Sequence, residues 1–501
     1  MADKDQLPPY MATVDRVTRA AITLIPFLLA LVAFASTMAG TDFWGHLRFG
    51  LDMLETKRFI YSDPYSYLSI PGTWVNHEWL TEVIFALAYR AGDTWGLVAL
   101  KFLIALGTLL ILHRYVSRLQ MPLLAHLGLL SLTVVGLMRA FATARPHMMT
   151  VPCFTLTVLI LTRAVDRPRS LYLLIPIFIF WTNAHGGFMA GMAVVLLWAV
   201  SRSVVLVSRK AEGRAIPWRD LWHLWLPVAL TVLATLINPY GPGLWSFLLR
   251  TATVPRPEIT EWQPITVYRG FSLIYGTLLL FTAWGLLHRP TALAPSLRVV
   301  YLAVAALPLL AVRHLMLFAV AGPIITAPAL AAACPPLSWT KRWTALTALI
   351  LSLGISVALC VSFLQTPKAP RSRADDWAFP EDAVAFLAEA DVEANLATPF
   401  NWGEYVLWHL GPEIQVSLDG RRETVYSEER YEVALALYTG KGEWDRLLRD
   451  WPTDLVLVER STPAYNLMSL HPGWTCIYED ELAAIYGRRD GEFAGLSVAQ
   501  R

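Results

Sequence analysis

Apolar runs long enough, or nearly long enough, to cross a bilayer follow one another along most of this 501-residue chain. They lie at 18–40, 95–113, 122–139, 148–164, 171–184, 188–207, 221–237, 271–287, 298–312, 315–333 and 343–364. A series of about eleven such runs leaves few folds open. A bilayer admits only segments that satisfy their own backbone hydrogen bonds, and runs of this length do so as helices. Hydrophobic residues make up 55% of the chain and charged residues 16%, with a mean hydropathy of +0.46, which excludes an ordinary soluble domain. A net charge of +2 leaves no basic footprint for nucleic acid. Cys153, Cys334, Cys360 and Cys476 are too scattered for a disulfide framework or a CxxC metal site.

The basic residues orient the runs. With residues 1–17 in the cytoplasm, the inner loops carry Arg114 and Arg118; Arg163, Arg167 and Arg169; Arg202, Arg209, Lys210, Arg214 and Arg219; Arg289 and Arg298; Lys341 and Arg342. Every inner loop then obeys the positive-inside rule, and an odd number of spans exports everything from 365 onward. The first apolar run lacks a small-residue cleavage site, so it reads as a span rather than a removed signal peptide. The expected organisation is a transmembrane domain over 18–364, with a first outer loop at 41–94. A Pro/Arg/Asp linker follows at 365–380, then a small extracytoplasmic α/β domain at 381–501. In that last domain, apolar runs at 395–399, 414–418, 454–459, 474–478 and 482–487 alternate with helical patterns at 381–390, 403–410, 427–438 and 443–450. It has neither GxGxxG nor a P-loop. No internal repeat is visible, which argues against a lipid or sugar-lipid transporter.

The polar residues that look chemical all fall on the outer side. The first outer loop opens with TDFWGHLRFG, passes through SDPYSY and reaches WVNHEWL, placing Asp42, His46, Arg48, Asp63, His77 and Glu78 close after a span. Ionisable groups at a membrane edge are costly to keep and point to function. Asp42 can take a proton from a hydroxyl, or simply solvate a helix boundary. His77 and Glu78 can serve as acid/base or cation ligands; Glu78 can equally favour the dipole of a helix at 78–91, which Arg90 and Gly92 close. Asp63–Pro64 reads as a turn and helix start. Arg139, then Arg145 and His147 in ARPHMM, sit at outer span ends, where arginine forks match phosphate oxygens or snorkel to lipid headgroups. WTNAHGGF puts Asn183 and His185 before two glycines, and Arg313–His314 interrupts the apolar stretch 299–333. Lys101 lies inside the second span. In the C-terminal domain, Trp402, Glu404, Trp408, Asp419, Arg421 and Arg422 cluster as a sugar-binding surface, a face packed over the outer cavity, or simply polar turns.

This layout resembles the GT-C superfamily of polytopic membrane glycosyltransferases, in a bacterial branch of uncharacterised membrane proteins. The resemblance is carried by TDFWGHLRFG directly after span one, with SDPYSY, WVNHEWL, ARPHMM, WTNAHGG, NPYG and the late DGRRETVY. It implies a sugar donor linked to polyprenyl phosphate, an acceptor hydroxyl on a glycan, lipid or protein, and transfer on the outer face of the cytoplasmic (inner) membrane with inversion. Asp42 falls where the family has its catalytic Asp, so the resemblance makes it the general base, with His46, His77 and Glu78 beside it. Many relatives have an acidic pair here, but Asp42 is followed by Phe43. Asp42, His77 and Glu78 are the set for a divalent cation, Mg or Mn, should one bind. Arg48, Asp63, Arg139, Arg145, His147, Asn183, His185, Arg313 and His314 are the substrate-binding candidates. A transporter and a non-catalytic envelope assembly protein are the alternatives.

Overall fold

The computed structural model describes residues 23–36, 40–72, 74–208, 218–253, 260–334 and 379–496. In chain order the helices up to residue 334 are α1 (Thr23–Ala33), α2 (Phe43–Thr56), α3 (Trp79–Arg118), α4 (Leu123–Leu137), α5 (Thr150–Ala164), α6 (Leu174–Ala184), α7 (Phe188–Ser208), α8 (Trp218–Ala234), α9 (Gly243–Thr253), α10 (Arg269–His288), α11 (Pro295–Leu310) and α12 (Leu315–Ala333). The C-terminal elements are α13 (Glu381–Glu389), β1 (Ala394–Ala397), α14 (Gly403–Leu410), β2 (Ile414–Val416), α15 (Glu428–Thr439), α16 (Arg446–Asp450), β3 (Leu455–Glu459), α17 (Pro463–Leu470), β4 (Trp474–Glu479) and β5 (Ala483–Arg488). Ten of the apolar runs read from sequence coincide with helices. Among the described residues, five helices are long and apolar enough to cross a membrane. The run at 343–364 and nearly all of the 365–380 linker lie outside the described residues.

The chain divides into two compact units. The first takes the described residues of Met1–Thr37, Val98–Gly243 and Thr253–Lys368; the second takes those of Met38–Leu97, Leu244–Ala252 and Ala369–Arg501. In the first, α12 packs against α4, α5, α10 and α11. Its sequence, LMLFAVAGPIITAPALAAA, is apolar all round, the pattern of a helix surrounded by protein. Gly136 and Gly285 let the neighbours approach: a Cβ on either would lie 2.7 Å from Ala319 Cβ or from Leu330 Cδ2. Pro328 in α12 has no N–H to give the Ile324 carbonyl four residues back. The Tyr115 hydroxyl donates to that carbonyl instead, at 3.1 Å.

The second unit is built on a five-stranded sheet of order β2-β1-β3-β5-β4. β2, β1 and β3 are parallel, while β5 is antiparallel to both β3 and β4. All five strands expected from sequence are present. Residues Leu455–Val458 of β3 are buried on both faces, as befits the central strand of a sheet covered on both sides. The first outer loop belongs to this unit. Ser66 bridges in parallel to Val416, with Val416 N donating to Tyr65 O at 3.0 Å and Tyr67 N donating to Val416 O at 3.2 Å. The Arg430 guanidinium donates to the carbonyls of Leu68 and Ser69 at 2.9 and 2.6 Å. α3 breaks at Gly92 and Asp93, where the helical pattern of the outer loop ends, and a Cβ at Gly96 would lie 1.8 Å from Ala88 O.

Candidate active site

In the second unit, α2 supplies the first residues. Asp42 is its N-cap, and the amide of His46 donates to Asp42 O at 3.3 Å, closing the first turn. Phe43, Leu47, Gly50 and Met53 form the buried stripe at helical spacing. Gly50 has no room for a side chain: a Cβ there would lie 2.1 Å from Glu82 O. That contact sets α2 directly on the first turns of α3 and carries His46 to the acidic residues of α3.

His46 is clamped between two carboxylates. Its Nδ1 lies 3.0 Å from Glu82 Oε1, and its Nε2 lies 3.7 Å from Glu78 Oε2. The other Glu82 oxygen accepts from Asn76 Nδ2 at 2.6 Å, and Asn76 Oδ1 accepts from the Glu78 amide at 3.2 Å. Burial opposes the charged ring, but the hydrogen bond to Glu82 and the charges of Glu78, Glu82 and Asp42 outweigh it and push the His46 pKa up to about 10. At neutral pH His46 is therefore an imidazolium, a fixed positive charge rather than a proton acceptor. The His77 ring lies 5.8 Å from that of Phe247 at a tilt of 49°, with Nε2 3.7 Å from Glu78 Oε1.

Behind α2 lies a buried ionic knot. Arg421 Nη1 and Nη2 donate to Asp63 Oδ1 and Oδ2 at 2.6 and 3.1 Å, while Nε and Nη2 donate to Asp419 Oδ1 and Oδ2 at 3.0 and 2.5 Å. The guanidinium sits 4.9, 5.3 and 4.9 Å from the ring centroids of Phe49, Tyr65 and Trp74. Asp63 thus faces Arg421, with its side chain only 1% exposed. Arg48 pairs with Asp52 at 3.0 Å, and the Tyr65 hydroxyl donates to the same Asp52 oxygen at 2.7 Å. Of the C-terminal cluster read from sequence, Trp402, Glu404, Asp419, Arg421 and Arg422 are buried, so it is interior rather than a sugar-binding surface.

Glu404 joins this interior. It is 2% exposed, and its Oε2 accepts from the Gly45 amide at 3.1 Å. Burial drives its pKa well above the carboxylate range; His46 and Arg421 oppose this, while Asp419 and Asp42 reinforce it. Charge repulsion from Asp419 and Asp42 thus adds to burial in favouring its protonated form.

The cationic candidates lie in the first unit. Arg145 Nη1 donates to Glu261 Oε2 at 3.1 Å. Arg313 stacks on Trp262 at 3.3 Å from the ring centroid, and the neighbouring Val312 amide donates to Gln263 O at 2.8 Å. The segment 260–263 thus holds both arginines. Arg139 lies 5.7 Å from the Phe271 ring centroid. His314 Nδ1 donates to Leu307 O at 3.2 Å. Lys101 donates to the carbonyl of Ser36. His147 and His185 have ring centroids 6.4 Å apart. The Gly187 amide donates to His185 Nδ1 at 2.9 Å, and Thr150 Oγ1 lies 2.8 Å from the same nitrogen. Trp181 Nε1 in turn donates to Thr150 Oγ1 at 3.1 Å. Asn183 Nδ2 donates to Ile179 O and Ile237 O, both at 2.8 Å, tying the end of α6 to the end of α8.

Reading the sequence missed Glu82 and Asn76. A signal was present: in NHEWLTE, Glu78 and Glu82 are four apart and share a helix face. Among the described residues, no group of three or more His, Cys, Asp or Glu side chains could hold a metal ion. The Glu82 oxygens are engaged by His46 and Asn76, and Glu78 is directed at His46 and His77. These residues do not fit a divalent ion as they stand.

No family model and no curated protein sequence matches the chain. Solved structures do. Oligosaccharyltransferase AglB from Archaeoglobus fulgidus, in complex with an inhibitory peptide and a dolichol-phosphate, is similar at TM-score 0.59 and 11% identity, over 95% of this chain and 74% of that one. ArnT from Cupriavidus metallidurans bound to undecaprenyl phosphate gives TM-score 0.55 and 11% identity, over 95% and 98%. Arabinofuranosyltransferase AftD from Mycobacteria gives TM-score 0.54 and 16% identity, over 97% of this chain and 42% of that one. These neighbours are GT-C glycosyltransferases; the chain shares their fold and is an integral membrane protein.

Proposed function

We propose that this chain is a glycosyltransferase that moves a sugar from a polyprenyl-phosphate carrier to an acceptor hydroxyl on the outer face of the membrane. Asp42 is the general base. It takes the hydroxyl proton as the oxygen attacks the anomeric carbon; the new C–O bond forms, the bond from that carbon to the phosphate oxygen breaks, and the configuration inverts. The observation that carries this reading is the setting of Asp42. It heads α2, within the field of the His46 imidazolium, at the edge of the first apolar run. His46 supplies fixed positive charge, and Glu78 and His77 orient the acceptor. Fixed charge of this kind needs no reorganisation as the reaction proceeds.

Arg145 and Arg313, with Arg139, His147, His185 and His314, are the residues we assign to the lipid phosphate. Arg48 and Asp63 support the site through Asp52 and Arg421, and Asn183 holds the ends of α6 and α8 together within the first unit. No step is routed through a metal ion. The fold neighbours bound to dolichol-phosphate and undecaprenyl phosphate support a lipid-linked donor. Membranes from cells with and without the gene, supplied with polyprenyl-phosphate sugars, test the class. Release of polyprenyl phosphate that depends on the chain supports transfer; equal release in both contradicts it.

A further inference from the structure

The first turns of α3 present an apolar stripe outward. Leu80, Val83, Ile84 and Leu87 recur at helical spacing and are partly or largely exposed, Leu87 at 52%, while Thr81, Glu82, Phe85 and Ala86 are buried on the other face. The stripe runs to Arg90, just before the helix breaks at Gly92 and the apolar run at 95–113 begins. The few residues between reach at most ~18 Å, so chain continuity keeps Arg90 close to the membrane boundary. An apolar stripe ending in a cation at such a place is the pattern of a helix lying in the headgroup layer. The end of α2 is brought to the same region. His46 meets Glu82, Gly50 lies against Ala86, and Glu55 accepts from Arg90 Nη2 at 3.2 Å, so the two helices run side by side in the same direction. We propose that the turn after α2, carrying Lys57, Arg58 and Tyr61, docks on the phosphate headgroups of anionic phospholipids in the leaflet on which the first turns of α3 lie.

The charge balance around this turn leaves two cations over. Asp52 is taken by Arg48 and the Tyr65 hydroxyl, Asp63 by Arg421, and Glu55 by Arg90. Lys57 and Arg58 are exposed, and among the described residues neither side chain has an ion pair or a hydrogen bond. Lys57 ends α2 at φ 54 and ψ 30, a left-handed conformation in which glycine costs least. A lysine held there keeps a charge where the chain turns. Tyr61 is 57% exposed, and its ring lies 4.7 Å from that of Phe59, which lies 5.7 Å from that of Trp79. Contacts at Trp79 and at Arg90 thus pin the turn along the first turns of α3. Aromatic rings beside lysine and arginine are what a membrane–water boundary selects, and the long basic stems let the charges reach phosphate. The apolar stripe favours a lipid surface over a soluble acidic partner, which would match the charge and leave Leu80 to Leu87 uncovered. This docking is independent of the transfer reaction.

Full-length protein is placed in nanodiscs of phosphatidylcholine alone or mixed with phosphatidylglycerol, and hydrogen exchange of residues 57–61 is followed in wild type, K57Q/R58Q and K57R/R58K. Each basic residue near an anionic surface favours contact by about fivefold, so the pair should slow exchange of this turn by about tenfold or more in the anionic discs relative to the neutral ones. At about 1 M salt, where the screening length falls to ~3 Å, the difference should vanish. K57R/R58K keeps the difference and K57Q/R58Q loses it, while both unfold at the wild-type temperature because the altered side chains are exposed. The salt series on wild type decides the point without any substitution. Equal exchange in the two lipid compositions overturns the proposal, as does a difference that survives in K57Q/R58Q or extends equally over the whole chain. Slowing in native membranes that phosphatidylglycerol does not reproduce also overturns it, since a protein partner would then cover the turn.

Discussion

Replacing Glu82 by Gln probes the clamp on His46, and the expected size follows from the contacts. Glu82 gives one oxygen to His46 Nδ1 and the other to Asn76 Nδ2, at 3.0 and 2.6 Å. Glutamine offers a single acceptor, so one buried donor meets an NH2 group and the imidazolium loses an opposing charge. Breaking a buried, hydrogen-bonded charge pair costs about 3–5 kcal/mol. For a unit of this size that lowers the apparent Tm by roughly 5–15 °C. The pH dependence is the sharper signature. The folded-state pKa of His46 is about 10 against 6.5 for the free side chain. Its stabilisation is fully present below pH 6.5 and is lost as pH rises through 10. Over that window the folded state holds one proton more than the unfolded state, so stability falls by ~1.4 kcal/mol per pH unit. In E82Q the fall begins at the same pH, ends at a lower one and is smaller in total. Thermal unfolding of the solubilised protein, followed by tryptophan fluorescence from pH 6 to 10, reads both effects. A flat wild-type profile over that range, or an E82Q profile that overlays the wild type, refutes the clamp.

Other perturbations separate support from chemistry. R421K leaves Asp63 and Asp419 sharing an ammonium that cannot make two bidentate pairs, and chemical denaturation should show a loss of about 3 kcal/mol or more. G45A drives a methyl group against Glu404 Cδ and should cost about 1–3 kcal/mol by the same assay. R145A breaks an ion pair whose side chains are 30% and 24% exposed, so its stability should change by about 1 kcal/mol or less. The expected effect of R145A is instead a higher KM for the lipid-linked donor, and a wild-type KM would remove Arg145 from the phosphate site.

The parts of the fold set by local pattern were legible. Strands β1 to β5 each follow a short apolar run, and Gly92 marks where the first part of α3 ends. α17 was not foreseen, because Pro463 and Asn466 break up an eight-residue stretch with a weak helical signal. The union of the first outer loop with the C-terminal sheet was illegible for a different reason. Ser66 meets Val416, and Asp63 meets Arg421, across some 350 positions of sequence, and no periodicity encodes a pairing at that range. Asp42, His46 and Glu78 stood out because charge beside a span is costly. Glu82 and Glu404 did not, since one reads as an ordinary helix-face acid and the other as part of a surface cluster. Their roles depend on Gly50 and Gly45 admitting close contact, which only the packed structure reveals.

The central claim is that Asp42 removes the acceptor proton. The measurement that tests it most directly is polyprenyl-phosphate release by membranes holding wild-type chain or D42N at equal protein levels. Asparagine keeps the size of the side chain and cannot take the proton, so release should fall by about 10²- to 10⁴-fold. Turnover in D42N equal to wild type would contradict the account.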